Sequence, residues 1–354
     1  NKSVRNRAMR QAINVVDQGC LHGDSRILTK QHGFAKIKDL VNQEIEVWDG
    51  QKFVKANVAP SGKKQLVEVV LQGNIRIKCS PDHKFLVRDT QGNEYFVRAE
   101  NLKKQHYVVL TDEIPHWSTE MELPCIEGTS HNAGNISIMD IKDPFERGLI
   151  TGRIASKKLA TELQMAGVKE RIPEFIWADK ECLRGYLQGI FDGDGNVTGN
   201  IRLNFGEKHR KLEWAEDIQK ALLLFGIQSR IVMAKDKIMV DVSKKHTSKF
   251  MKKIGFLNPR KVKEDVALGN GQFANGSKIY GHAVNVKDVN ITDEWVEMYD
   301  VVNSESGRFM TEGVITHNSS ADYLKLSMIA QEEWTHGHLD TPIFQIMTVH
   351  DEVI

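Results

Sequence analysis

Short runs of alternating apolar and polar residues occupy the two ends of the chain, and a helical period replaces them between. EIEVWDG (44–50) and QKFVKANV (51–58) alternate on either side of an Asp-Gly turn, a hairpin signature. Further strand-like runs lie at Gln65–Leu71, Asn74–Cys79, Lys84–Arg88 and Glu94–Arg98, and the pattern returns at Trp295–Val302 and Arg308–Ile315. In the middle, Lys211–Phe225 places Leu212, Ala215, Ile218, Leu222 and Phe225 at helical spacing. Strands are predicted to follow at Ser229–Ala234 and Lys237–Ser243, then a helix at His246–Ile254. Residues 119–140, rich in Ser, Thr, Glu, Gly and Asn, and GNGQFANGSKIYG at 269–281 read as linkers. The pattern predicts one mainly β domain in two halves, 20–118 and 282–318, interrupted by an α+β domain at 141–268. Two separate β pieces of that size would bury too little apolar surface to fold alone.

Composition changes this picture little. At 354 residues the chain exceeds a usual single core. Its 40% hydrophobic and 27% charged residues are ordinary for a water-soluble protein. No apolar run approaches bilayer length and the basic start is unlike a signal peptide, so no membrane partner is expected. Net charge of +1 averages unlike parts, since Arg202–Lys263 holds sixteen Lys/Arg against six Asp/Glu. Such a stretch suits a phosphate-facing sheet, with double-stranded DNA as its partner. Cys20, Cys79, Cys125 and Cys182 show neither CxxC pairing nor metal-site spacing, which favours free thiols in a reducing cytoplasm.

The chemistry concentrates at two distant points. Gln-Gly-Cys at 18–20 offers a thiol next to a glycine carbonyl, and His-Asn-Ser at 317–319 offers a carboxamide between an imidazole and a hydroxyl. Three stretches around them, CLHGDSRILT (20–29), IKCSPDHKFLV (77–87) and MYDVVNSESGRFMTEGVITHN (298–318), jointly resemble the conserved blocks of inteins, the protein-splicing elements. The resemblance implies a Hint-type horseshoe of strands and autocatalytic removal of residues 20–318 by cleavage at Gly19–Cys20 and Asn318–Ser319. Cys20 would attack the Gly19 carbonyl, Ser80 orient the amide, His83 protonate the departing amine, and Ser319 take over the acyl group. Asn318 would then cyclise with help from His317, and Asp300 would couple the steps. Splicing of this kind needs no cofactor, and its partners are the flanking exteins in cis. The sequence departs from the pattern at Gly307, where many inteins have a histidine, and in carrying Ser80 for a commoner threonine. Slow splicing with lagging C-terminal cleavage is therefore expected.

The flanks carry their own likeness. Joined across the gap, residues 1–19 and 319–354 resemble the palm region of family A DNA polymerases. The His350-Asp351-Glu352 turn follows an apolar run, and by that resemblance Asp351 would bind one of two Mg²⁺ ions. Within the interruption, LQGIFDGDG (187–195) resembles the LAGLIDADG motif of homing endonucleases. That implies close helix packing through Gly189 and Gly193, with Asp194, and Asp192 beside it, near a catalytic Mg²⁺. A calcium loop beginning at Asp192 is excluded by Val197 and Leu203 at its sixth and twelfth positions. The candidate first motif, ERGLITGRI (146–154), has Arg153 where an acid belongs, and residues 155–172 are too few for a first half-domain. A decayed endonuclease in a monomer, in a bacterial or phage-infected cytoplasm, is the expectation. Its alternative is a homodimeric endonuclease built on the second motif.

Overall fold

A computed structural model describes residues 19–119 except 113, 141–156, 170–262 except 198, 206–210 and 235–236, and 282–318 except 303. It also describes two short paired strands, Thr348–Val349 and Glu352–Val353. Cys125, Ser319, Asp351, most of the linker at 119–140, the linker at 269–281, residues 1–18 and the rest of 319–354 lie outside the described residues.

The first β half starts with β1 (Leu21–His22) and β2 (Arg26–Thr29), reversed by Gly23-Asp24-Ser25, where Ser25 N–H donates to the His22 carbonyl (2.9 Å). Strands β3 (Gly33–Lys36) and β4 (Glu44–Trp48) lead to the Asp-Gly hairpin. There Asp49 Oδ1 accepts from the Gln51 and Lys52 amides (both 2.8 Å), an Asx-type turn that fixes the register. The next strand, β5, runs unbroken from Phe53 to Leu71, so the two runs predicted separately are one element. Pro60 and Gly62, between those two runs, meet irregular register between Glu297 and Tyr299 on the opposite strand, and a bulge absorbs them. β6 (Arg76–Cys79), β7 (Lys84–Arg88), β8 (Glu94–Arg98) and β9 (Tyr107–Val109) complete this half. β6 starts later than the predicted Asn74 because Asn74 itself turns at φ 63°.

The C-terminal half is a 20-residue strand β14 (Ala283–Val302), of which Trp295–Val302 is only the end, followed by β15 (Arg308–Thr311) and β16 (Val314–His317). The single strand predicted for Arg308–Ile315 is thus a hairpin. Glu312 (φ 51°) and Gly313 (φ 86°) both take the left-handed region that a two-residue type I′ turn requires. These strands are threaded into the first half rather than added beside it. β14 pairs with β1, β5 and β9, β16 with β7, and Thr311 of β15 bridges Ile27 of β2, so the sheet closes on itself. The two sequence halves thus contribute strands to one sheet.

The interrupting segment folds as helices over a four-stranded antiparallel sheet. Helix α1 (Pro144–Ser156) lies against α3 (Lys180–Asp194), which is capped by Asp179 accepting from Cys182 N–H (2.9 Å). Their backbones touch: a Cβ on Gly152 would lie 2.2 Å from the Tyr186 carbonyl oxygen, and one on Gly189 would lie 2.4 Å from that of Leu149. Only glycine permits that approach. The sheet order is β10 (Gly195–Asn196), β11 (Arg202–Phe205), β13 (Ile238–Val242), β12 (Ser229–Met233). Short α2 (Glu174–Trp177), α4 (Leu212–Leu224) and α5 (Thr247–Lys253) pack around it, within a residue or two of the predicted helices where one was predicted. The two domains share apolar core: Phe34, Trp48, Trp117, Met310 and Ile315 of the β domain join Trp177 and Tyr186 in one cluster.

Candidate functional site

The strands that meet at the two junctions set the site. Leu21 pairs with both Tyr299 and Cys79. Continuing those antiparallel registers by one residue sets Cys20 against Asp300 on one side and Ser80 on the other. Thr316 pairs with Phe85, and two further residues of that ladder set Asn318 against His83. Groups about three hundred positions apart in sequence are therefore collected around the end of one sheet.

The N-terminal junction is held tightly. The amide N–H of Cys20 donates to Ser80 Oγ (2.8 Å), and the Cys20 carbonyl accepts from Ser80 N–H (2.9 Å). Ser80 in turn donates to Asp82 Oδ1 (2.5 Å). A Cβ on Gly19 would fall 2.3 Å from His83 Cα, so the backbone before the junction runs directly over His83 and only glycine fits there. Cys20, Ser80 and His83 are all fully buried, and Asp300 is 1% exposed.

Burial governs the ionisation here. The Cys20 thiol is pushed up to about 12 by loss of solvent and then by the Asp300 charge, with Lys64 and Ser61 pulling the other way. The thiol is therefore protonated at neutral pH and needs a base. His83 is lowered to about 4, again by burial first, against an opposing contribution from the Gly19 backbone. It is neutral at neutral pH and able to accept a proton. Among the described residues neither ring nitrogen meets a partner in ordinary hydrogen-bond geometry, and the ring edge meets Phe85 at 5.2 Å. Burial opposes the Lys64 charge, but Cys20, Asp82 and Asp300 raise its pKa and keep it protonated; its ammonium lies 3.8 Å from Asp82. Lys64 and Asp82 were not legible as site residues, since Lys64 sits between two predicted strands with no motif around it.

At the C-terminal junction Asn318 is 3% exposed. Its side-chain amide donates to the Gly307 carbonyl (2.8 Å) and accepts from Ser304 N–H (3.1 Å). The Asn318 backbone N–H also donates to the Gly307 carbonyl (3.2 Å). Gly307 turns at φ 67°, and a Cβ there would lie 3.7 Å from the Asn318 carboxamide nitrogen and 3.9 Å from His317 Nε2. His317, half-buried, stacks edge-on with Phe96 at 4.8 Å, and burial followed by Lys84 lowers its pKa, so it too is neutral near pH 7. Ser319, the predicted acceptor, lies beyond the described residues.

The structure brings Cys20, Ser80, His83, Asp300, His317 and Asn318 together, and it places Asp192 and Asp194 elsewhere, at the end of α3. Asp192 accepts from the Leu257 and Asn258 amides (2.9 and 2.7 Å) and pairs with Arg153 (3.4 Å). Asp194 borders a cavity of about 40 Å³ with Asn204 and Lys211. Among the described residues no three acidic, His or Cys side chains are grouped to hold a metal. A larger cleft of about 660 Å³ lies at the seam of the domains, bordered by Tyr107, Arg230 and Lys245, and none of the junction residues lines it.

The ribonucleoside-diphosphate reductase large subunit of Invertebrate iridescent virus 6 is 26% identical over 62% of this chain and 26% of its own length. The DNA polymerase of Thermococcus litoralis is 25% identical over 44% of this chain and 10% of its own. The chain thus spans about a quarter or less of these relatives. The DnaB intein from Synechocystis sp. PCC 6803 aligns over 85% of this chain and 99% of its own, at 12% identity and a TM-score of 0.33. The family described as the intein splicing domain matches residues 26–318. The chain belongs to the intein splicing domain family.

Proposed function

We propose that residues 20–318 excise themselves and join Gly19 to Ser319. Neutral His83 takes the Cys20 proton, and the thiolate attacks the Gly19 carbonyl, converting amide to thioester. The imidazolium so formed then returns the proton to the leaving amine. Ser80 holds that amide's N–H, and Lys64 offsets the charge developing on sulfur. Ser319 displaces the thioester through its hydroxyl. The Asn318 carboxamide nitrogen then attacks its own main-chain carbonyl, closing a five-membered imide and releasing Ser319, whose ester rearranges to an amide. Gly307 and Ser304 hold the carboxamide in place before reaction, which is the entropic part of the rate. The observation that carries this reading is the buried Cys20 amide held by Ser80 with His83 lying under Gly19.

Expression followed by intact-mass analysis tests it. Splicing yields the excised piece Cys20–Asn318 and a ligated remainder, whereas only full-length chain would refute it. With Gly307 giving a carbonyl but no imidazole, the branched ester is expected to accumulate before C-terminal release. Completion within minutes without that species would contradict the assignment. The pH dependence follows from His83: its folded pKa of about 4 lies below the ordinary 6.5. Neutral imidazole is thus retained as pH falls through 6.5, and thiol-induced cleavage at Gly19 is expected to keep its His83-dependent rate until close to pH 4. The same shift makes the unfolded chain bind more protons between these values, so stability falls as pH drops across that window. A rate loss centred near pH 6.5 would argue against His83 as the base.

The likeness of residues 1–19 and 319–354 to a polymerase palm supports a family A DNA polymerase as host, with Asp351 a Mg²⁺ ligand there. The glycine-faced helix pair and the order α3, β10, β11, α4, β12, β13, α5 support a LAGLIDADG-type domain reduced to one repeat plus the first motif helix. The residues do not fit a catalytic metal. Asp192 is engaged in the fold, and Arg153 stands where a second carboxylate belongs. We therefore read the endonuclease as inactive in a monomeric, cytoplasmic protein. A homodimer is disfavoured because α1 of the same chain already covers the glycine face of α3. Duplex binding through Lys-rich α5 and its approach is retained in this reading, and a DNA shift assay at two salt concentrations separates it from cleavage.

A further inference from the structure

The inserted domain grips the β domain at the one turn that leads to the C-terminal junction. Glu312, in the β15–β16 turn, is 3% exposed and adopts φ 51°, a left-handed conformation that a non-glycine residue rarely takes. The favoured residue there is Asn, Asp or Gly. Glutamate's length has a use: Oε1 accepts from Arg26 N–H (2.7 Å), and Oε2 meets Lys220 Nζ of α4 at 2.6 Å. The Lys220 side chain is itself only 17% exposed. Arg26 is anchored from the other side, its guanidinium donating to Glu174 of α2 (2.6 Å) and lying 4.9 Å from the Trp177 ring. A Cβ on Gly313 would lie 2.9 Å from Leu223 of α4, so helix and turn are in direct contact.

An insertion carried as a passenger would meet its host at linkers. This one supplies Lys220 and Glu174, the charged partners of buried Glu312 and Arg26, with Glu174 at the solvent edge. From these pairs a single four-residue strand, β16, leads to His317 and Asn318. A strand so short is stiff, so the position of its first residue fixes that of its last.

We propose that the inserted domain is a working part of the splicing centre, with Lys220 and Glu312 acting as positioning residues for Asn318 cyclisation. The assignment rests on the splicing steps proposed above. It also means that removing the insertion would impair C-terminal release even though every reacting group remains.

The test uses the full chain in two backgrounds. Cys20→Ala isolates cleavage at Asn318–Ser319, and Asn318→Ala isolates thiol-induced cleavage at Gly19–Cys20. Into each go Lys220→Met, Lys220→Arg and Glu312→Asn. The last installs the Asn-Gly pair that type I′ turns prefer, so a role in the turn alone predicts no loss. The clamp predicts that Lys220→Met and Glu312→Asn slow C-terminal cleavage by about tenfold or more, the scale on which small misplacement of reacting groups registers. N-terminal cleavage should stay within about twofold, and Lys220→Arg should recover most of the C-terminal rate. C-terminal rates unchanged in Lys220→Met and Glu312→Asn, or both reactions falling together, would overturn it. Failure of the parent Cys20→Ala chain to release Ser319 at all would remove the splicing reading itself, and the clamp with it.

Discussion

Replacing His83 with alanine is expected to slow thiol-induced cleavage at Gly19–Cys20 by roughly 10²–10⁴-fold, the range for loss of a positioned acid–base group. The size follows from the surroundings. Burial and Asp300 raise the Cys20 thiol to about 12, so almost no thiolate exists at neutral pH without a base. The ammonium of Lys64 stabilises charge on sulfur but, being protonated, cannot take the proton. Water has no ready access to a fully buried Cys20. His83 is the neutral base set under Gly19. The rate is read by mass spectrometry in an Asn318→Ala background, with circular dichroism checking that the variant stays folded beside Phe85. A loss smaller than about tenfold would mean another group moves the proton.

Asn318→Gln is expected to stop release of Ser319 while leaving the Gly19–Cys20 step within about twofold, as for sites whose effects are separable. The change adds one methylene, turning a five-membered closure into a six-membered one. It also pushes the carboxamide out of register with its two partners, the Gly307 carbonyl and the Ser304 amide. With the residue 3% exposed, there is no space for the longer side chain to fold back into line. The branched ester should build up in this variant and be released as N-terminal fragment by added thiol or base. Any C-terminal cleavage at the parent rate would show that the carboxamide is not the nucleophile.

Much of the site was legible because its chemistry is tied to residue type. A thiol after glycine, a hydroxyl three residues before His83, and a carboxamide before Ser319 each announce a reaction, and the structure collects all the described ones. What escaped depended on distance in space. Lys64 sits on β5, between the runs predicted at 51–58 and 65–71; only pairing with β14 shows that the strand continues and carries the lysine to Cys20. Glu312 looked like the interior of a strand, because the apolar residues on both sides of the Glu-Gly pair hide the reversal. Helix boundaries in the insertion came out close because 3.6-residue periodicity is a local signal. The contact between α4 and the β15–β16 turn has no local signal at all.

The threading of β14 between β1, β5 and β9 has a consequence for how the protein is made. During translation Cys20 leaves the ribosome long before Asp300 and the strand that carries it, so the nascent amino-terminal half has a gap where a central strand belongs. The thiol cannot be enclosed, nor the amide before it gripped on both sides, until nearly the entire intervening sequence has been synthesised. In the proposed reaction, order of synthesis would thus protect the upstream fragment from being severed before the downstream fragment exists to receive it.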